Sequence, residues 1–524
     1  MYRSLLRHAS SEAIAIRFEN KEVTYKELLA NIRKMVSFCR RLGVREGDVV
    51  TLSLPNVPTG IYALYALNAI GAVLNIIHPL SPVQEILRTA RETDSKLIVA
   101  LSTLVNSHGD AFAQSGIPTA FANPMADVSF LMKTLCYVKY GKAKGKDGLY
   151  DLENYRREKE DHTYSERKQS ETCLYLHSGG TTGASKIIEL SADALNNLVA
   201  RSDDLLPYGI AGKSILAVLP AFHGFGLGMG IHAPLYWGAT SALMTKFDVA
   251  KTLKWIHSGK VNVILGVPLL YQKLMKHPAF AEGDLSHIEC AFVGGDNVPP
   301  SLIQSFNALM EEKGSVGRML EGYGLTETVT VCAVNTHKSF RMGSVGKPLQ
   351  GIEITVRDEE QNLLPAGQVG EVYIAGDTLM NGYYKDPEAT GKTILKIDGK
   401  DWVRSGDLGY LDEEGYLFLK GRIKRVYKIA GINVYPAEVE KIATDLTEDI
   451  HDAALELFDT PKPHLTLFLI RNKNSSRTEE ELKEEILSRI GGRMTKYCMP
   501  EKVIFLDAFP KTKVGKIDHK AMKE

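Results

Sequence analysis

"SGGTTGASK" spans Ser178 to Lys186. Its glycines, hydroxyl side chains and closing lysine are the ingredients of a phosphate cradle. Glycine lets backbone N–H groups approach an anion and take positive φ. The Ser and Thr hydroxyls add donors, and Lys186 adds a point charge. A P-loop requires G-x-x-x-x-G-K-[ST] between a strand and a helix. Here no glycine directly precedes Lys186, and Ile187 follows it. "CLYLHS" before the loop and "IIEL" after it both read as strands, and Ser191 reads as the N-cap of a helix, "SADALNNLVARSDDLL". The loop is therefore expected to join two strands. Its bland alternative is a Gly/Ser/Thr-rich surface hairpin with no ligand.

Outward from this loop, helical and strand-like patterns alternate, which argues an α/β architecture. "VTYKELLANIRKMVSFCRRLGV" reads as a capped helix. "VVTLSLPN", "VNVILGVP" and "IECAFVGGD" read as buried strands. "GIYALYALNAIGAVLNIIHPL" (60–80) is the most apolar run, but Asn68, Asn75 and His78 interrupt it. A buried helix followed by a strand is expected there, with no membrane span. Residues 147–169 are dense in charge and are expected to form an exposed connection. "FLMKTLCYVKYGKAKGK" (130–146) is apolar, then basic. Peripheral contact with a membrane or acyl chains is one reading. A helix packed on its own domain, with solvated lysines after it, is the preferred one.

The chain has 524 residues, 44% hydrophobic and 24% charged, too long for one compact core. Its formal net charge is zero, so the basic footprint of a nucleic-acid binder is absent. Six cysteines are scattered without metal-site spacing and are expected to be small buried hydrophobes. The first residues lack the apolar core of a secretory signal, so a cytoplasmic location is expected. From Gly421 the texture changes to a short basic two-stranded piece, a helix opened by Pro436, the strand "HLTLFLIRN" and a helix with a capping box at Thr478–Glu481. A separate small α+β domain is expected over 425–524.

Four further stretches bear on chemistry. "EGYGLTET" sets Thr326 and Glu327 beside a glycine-rich turn, where a hydroxyl could meet phosphate and a carboxylate could hold Mg²⁺. "WVRSGDLGYLDEEGYLFLKGR" offers Asp407 in a tight turn and Arg422 at a strand end, suited to a ribose diol and to phosphate or ribose oxygens. "FPKTKVGKID" places Lys516 on a glycine-containing loop. "PAFHGFGLGMG" (220–230) is rich in small residues. Each has an ordinary structural reading: a turn aspartate, a solvated lysine, or a first-turn acid favoured by the helix dipole. Their joint occurrence, in one order along the chain, outweighs those readings.

In these motifs the chain resembles the ANL superfamily of adenylate-forming enzymes, nearest its acyl-CoA ligase branch, from "VTYKEL" to "GKID". The resemblance implies a large N-terminal domain over 1–421, built of two mixed α/β sheets plus a small β-barrel. It further implies a hinge over 422–424 and a small mobile α+β lid over 425–524. It implies that Ser178, Gly179, Gly180, Thr181, Thr182, Gly183 and Lys186 cover the ATP β- and γ-phosphates. Gly294, Gly295 and Asp296, with Gly322, Tyr323 and Gly324, would line the adenine pocket. Thr326 would meet the α-phosphate, Glu327 the Mg²⁺, and Asp407 with Arg422 the ribose. Lys516 would bridge carboxylate and phosphate. Lys424 matches the hinge, and Lys428 and Gly431 match the face used for thioester formation. The chain departs from the family at Ser185 and Ile187, where Pro and Gly flank the lysine, and at Arg425, where an acid is common.

The implied reaction activates a carboxylate as a mixed anhydride with AMP, releases pyrophosphate, then transfers the acyl group to coenzyme A. Both reactants of the first step are anionic, so cations must lie between them; Lys516 and Mg²⁺ are the candidates. Residues 220–230 are expected to wall the acyl pocket through His223, Gly224, Phe225, Gly226 and Leu227, the glycines leaving room for a chain or ring. His223 reads equally as a gate or as a packed histidine. Amino-acid-activating relatives carry an aspartate near this position; Phe222-His223-Gly224 has none. A medium-chain fatty acid or aryl acid is expected. The alternatives are loading of a separate carrier protein, an inactive nucleotide-binding sensor, and a P-loop ATPase.

Overall fold

The computed structural model describes residues 1–128, 130–142, 148–178, 186–201, 205–206, 209–429, 432–446, 448–458, 462–511 and 517–523. Two large mixed sheets organise the chain as far as Pro348, and Gly382–Tyr383 returns to the edge of the first. The first runs, by adjacency, Gly382–Tyr383, Ile187–Ser191, Thr172–His177, Val73–Ile76, Val49–Leu52, Leu97–Leu101, Thr119–Ala122 and Leu149–Asp151. The second has nine strands, with Arg318–Gly324, Cys290–Val293 and Val263–Gly266 side by side. Most neighbours in both are parallel, and helices connect them. The small β unit is a five-stranded antiparallel sheet in which Lys400–Leu411 pairs with Gly370–Gly376, Ile394–Ile397 and Leu417–Arg422.

Local signals work as expected. Thr24 caps the helix Tyr25–Arg41 with a reciprocal Glu27 box. The helix Pro58–Ile70 starts on a proline, ends on Gly71 at φ 82° and is buried on nearly every side. Its polar interruption, Asn68, accepts the Tyr2 N–H at 2.9 Å. Six free cysteines, all buried or half-buried, complete the picture of an apolar interior.

Residues 147–169 depart from the exposed connection expected of them. Leu149–Asp151 is the edge strand of the first sheet, and Leu152 and Tyr155 in the short helix Leu152–Arg157 are fully buried. Three well-spaced apolar side chains suffice, and the buried carboxylates between them, Asp151 and Glu153, are paired with Lys142, Lys133 and Arg156. The charged residues after Arg157 do lie at the surface, where Arg40 pairs with Asp161 and Arg41 with Glu158.

Beyond Arg422 the chain makes a two-stranded ribbon (Tyr427–Ile429, Ile432–Val434), the helix Pro436–Thr444, a three-stranded sheet and the helix Glu479–Arg493 with its Thr478 capping box. These elements enclose a core of their own around Val439, Leu455, Leu467, Leu482 and Ile486. The unit meets the rest of the chain through polar contacts. Ser301 N donates to Asp445 Oδ1 at 3.2 Å, Lys276 Nζ to Asn472 Oδ1 at 2.9 Å, and Lys420 pairs with Glu438. Among the described residues no helix is long and apolar enough to cross a membrane.

Candidate active site

The strands flanking "SGGTTGASK" form an antiparallel hairpin, with His177 opposite Ile187. Its neck is closed by Ser178 N donating to the Lys186 carbonyl and Lys186 N donating to Ser178 Oγ, each at 2.9 Å. Gly179, Gly180, Thr181, Thr182 and Gly183 lie outside the described residues, as do Ser185, Gly431 and Lys516. Below the neck, His177 Nε2 meets Asn75 Oδ1 at 2.7 Å, and Asn75 Nδ2 donates to the buried Thr51 hydroxyl at 3.0 Å. Burial, assisted by Arg88, holds His177 down at about 4, so it is neutral near pH 7.

Sheet adjacency assembles the second part. Cys290–Val293 and Arg318–Gly324 are parallel neighbours with Val293 opposite Glu321. That register brings Gly294, Gly295 and Asp296 beside Gly322 and Tyr323. A Cβ on Gly294 would lie 2.6 Å from the Gly322 carbonyl, and Gly295 sits at φ 81°. Both positions therefore demand glycine. Gly322–Gly324 belong to a strand and not to the turn expected for them. Gly324 packs so tightly on the returning chain that a Cβ would lie 1.5 Å from the Thr330 carbonyl.

Tyr323 reaches across to the small β unit, where its Oη donates to Asp407 Oδ2 at 2.5 Å. Asp407 and Arg422 are directly opposed in the antiparallel ladder, and Arg422 Nε lies 2.8 Å from Asp407 Oδ1. Asp407 is only 6% exposed. The tight turn expected around Asp407 is instead the middle of the long strand Lys400–Leu411. Gly406 at φ 69° and a ladder irregularity after Leu408 bend that strand at this point. Ser405 stabilises the bend: its Oγ donates to the Val372 carbonyl at 2.7 Å and accepts Asp407 N at 3.0 Å.

Glu327 lies in the single 3-10 turn Thr326–Thr328. Its Oε1 accepts the Tyr383 hydroxyl at 2.9 Å, and its carbonyl accepts Met380 N at 2.8 Å. Tyr383 is paired with Ile188, just past the hairpin, and Lys186 Nζ lies 4.3 Å above its ring centre. One tyrosine thus ties the acidic turn of the second sheet to the lysine of the first. Sequence reasoning missed Tyr383, because its place depends on a two-residue strand pairing with residues nearly two hundred positions earlier. It also passed over Glu321, although that residue opens the quoted "EGYGLTET". Glu321 is 8% exposed, and its Oε2 has no hydrogen-bond partner among the described residues. Burial pushes its carboxyl up to about 7, against the opposing pull of Lys441.

The 220–230 stretch does not offer the room expected of its glycines. A Cβ on Gly224 would fall 1.8 Å from the Val329 carbonyl, and one on Gly226 would fall 2.2 Å from the Pro220 carbonyl. These glycines let backbones touch. Val329 itself holds φ 66°, a strained conformation for a β-branched residue, immediately after the Glu327 turn. Gly226–His232 forms a π-helical turn with Leu227 buried, and Phe225 is half-buried. His223 is half-buried too, its ring 4.6 Å from that of Phe222.

Lys424 is exposed in the short turn Ile423–Arg425, and Lys428 is exposed on the ribbon opposite Asn433. Arg425, the departure from the family's acid, has partners of its own: Glu440 at 2.6 Å and Glu456 at 3.8 Å.

Residues 5–384 match the family model described as AMP-binding enzyme. Among curated relatives, a long-chain-fatty-acid–CoA ligase of Bacillus subtilis (strain 168) is 28% identical over 97% of this chain and 91% of its own length. 4-Coumarate–CoA ligase 2 of Nicotiana tabacum is 28% identical over 98% and 91%. The fold is shared with ATP-bound MatB from Rhodopseudomonas palustris (TM-score 0.85, 23% identity, 100% and 98% covered). It is shared as well with the anthranilate CoA ligase AuaEII in complex with anthranoyl-AMP (TM-score 0.86, 21% identity, 99% and 96% covered).

Proposed function

The chain belongs to the AMP-binding enzyme family, within the ANL superfamily of adenylate-forming enzymes, and from that premise we propose that it converts a carboxylic acid to its acyl-coenzyme A thioester through an acyl-adenylate. The observation that carries the proposal is the buried Asp407 carboxylate, held by Tyr323 and Arg422, with Tyr323 following Gly322, whose carbonyl packs closely on Gly294. A fixed, buried acceptor suits a ribose diol.

In the first half-reaction a carboxylate oxygen attacks the α-phosphorus of ATP, the bond to the β-phosphate breaks, and pyrophosphate leaves. Ser178 and Lys186, with the loop between them, hold the outgoing phosphates, and Thr326 donates toward the α-phosphate. Lys516 would bridge carboxylate and phosphate and offset their repulsion. When bound, magnesium neutralises charge on the phosphate oxygens. Glu327 would hold it: one carboxylate beside substrate phosphates suits this ion, and Tyr383 orients that carboxylate through Oε1 alone. In the second half-reaction the coenzyme A sulfur attacks the acyl carbon, its proton is released, and the bond to AMP breaks.

The large domain extends over 1–421 in this reading, with residues 422–424 as hinge and 425–524 as lid. Lys424 is the pivot, and Lys428 with Gly431 faces the thioester step. The acid is a medium-chain fatty or aryl acid. Support comes from the absence of an acid beside His223 to hold an ammonium, and from the apolar Phe225 and Leu227. Relatives named for a long-chain fatty acid and for 4-coumarate bracket that range.

The test is pyrophosphate and AMP release over a panel of carboxylic acids, with and without coenzyme A, with product masses read. AMP together with an acyl-CoA mass is the expected result. Acyl-adenylate that persists despite coenzyme A would transfer the second step to a carrier protein. ADP in place of AMP would refute the reading.

A further inference from the structure

The helix Phe130–Tyr140 is laid on the protein with its polarity reversed. The side chains turned inward recur at 133, 136, 137 and 140. Lys133 pairs with Glu153 at 3.2 Å, the Tyr137 hydroxyl donates to Asp151 at 3.3 Å, and Cys136 is 6% exposed. The outward side chains are apolar: Phe130 is 85% exposed, Leu131 68%, Leu135 52% and Val138 78%. Burial of apolar surface alone would roll this helix over. The ion pair to Glu153 in the short helix Leu152–Arg157 and the hydrogen bond to Asp151 of the edge strand hold it as it is.

Charge points to the occupant. Residues 128–146 contain five lysines and no carboxylate. The neighbouring acids Asp127, Asp151 and Glu153 are already matched by Arg156, Lys142 and Lys133. Lys139, exposed at the end of the apolar row, adds positive charge beyond that balance. A short apolar face flanked by lysines is the pattern of a helix that lies in the headgroup layer of an anionic bilayer. We propose that the helix Phe130–Tyr140 docks this protein reversibly onto an anionic lipid surface. The helix connects the far-edge strands of the first sheet, across that sheet from the phosphate hairpin. Docking there leaves the nucleotide site open to solvent, and the inference does not depend on the identity of the acid.

The experiment is flotation of the full chain with vesicles of phosphatidylcholine alone or with 30 mol% phosphatidylglycerol (roughly physiological in anionic charge), at low and high salt. The expected result is at least ~10-fold more bound protein on the anionic vesicles, weakened by salt. It should be lost in a Leu131→Glu, Leu135→Glu, Val138→Glu variant whose circular dichroism melt is unchanged. Phe130→Trp, in otherwise native protein, should shift its emission to the blue on anionic vesicles only, which keeps the test decisive if the triple variant misfolds. Absence of flotation, equal binding to both vesicle types, or flotation that survives the triple variant would each overturn the proposal. A concentration-dependent dimer abolished by the same variant would assign the face to a second copy.

Discussion

Glu321→Gln should stabilise the protein at pH 8 and leave it nearly unchanged at pH 4.5. Glu321 ends the buried part of the strand Arg318–Gly324, with one carboxylate oxygen lacking any hydrogen-bond partner among the described residues. Burial raises its carboxyl from the ordinary 4.5 to about 7. A folded value above the unfolded one means that the native state binds the proton more tightly. That stabilisation is fully present below about 4.5 and is lost as pH rises through about 7. At 1.36 kcal/mol per pH unit, the gap corresponds to ~3 kcal/mol. Because the side chain is almost wholly buried, solvent screening takes little from this figure. Glutamine keeps the shape and carries no charge at any pH, so the variant escapes the cost of ionising this group. The assay is urea unfolding of both proteins from pH 4.5 to 8.5, read as the difference between them. Asp452, pushed up to about 6, also titrates in this range but is common to both chains and cancels. The difference should grow from near zero to ~3 kcal/mol in favour of the variant. A difference that stays flat, or a variant less stable at pH 8, would show that Glu321 is ionised and compensated in the native state, with Lys441 the obvious partner.

Asp407→Asn removes the charge that Arg422 opposes while keeping an acceptor for Tyr323; ATP affinity measured by calorimetry should fall ~10²-fold, about the strength of a charge-assisted hydrogen bond. Tyr383→Phe deletes the donor to Glu327, so the magnesium concentration needed for half-maximal pyrophosphate release should rise several-fold, while folding stability drops by ~1 kcal/mol or less. An unchanged magnesium profile would leave Tyr383 a packing residue only. Arg425→Met strands Glu440 beside Glu456 and should destabilise the C-terminal unit by ~3 kcal/mol in a thermal melt, with Glu440→Gln in the same chain restoring most of it. Lys516→Ala should slow adenylation ~10²–10³-fold yet spare thioester formation from a preformed acyl-adenylate; equal loss in both steps would exclude the role proposed for it.

Much of this molecule was legible in one dimension because it depends on neighbours along the chain. The strand–loop–strand around Ser178–Lys186, the caps at Thr24, Ser191 and Thr478, the Pro436 helix start and the change of texture after Gly421 all follow from residues a few positions apart. The ordered motifs likewise identified the family before any contact was known. What could not be read there depends on which strands lie side by side. Glycine and aspartate favour turns and so point to one at Asp407, yet the pairing of Lys400–Leu411 with strands on both sides carries a bent strand through it. Gly224 and Gly226 suggested open space, but the space beside a missing Cβ belongs to whatever the fold brings there, here the carbonyls of Val329 and Pro220. The outward apolar face at 130–138 and the Tyr383–Glu327 link are of the same kind. Local preference is a sum over adjacent residues and survives in the sequence. Burial, register and partner choice are set by segments hundreds of residues apart, and they acquire values only once the sheets have formed.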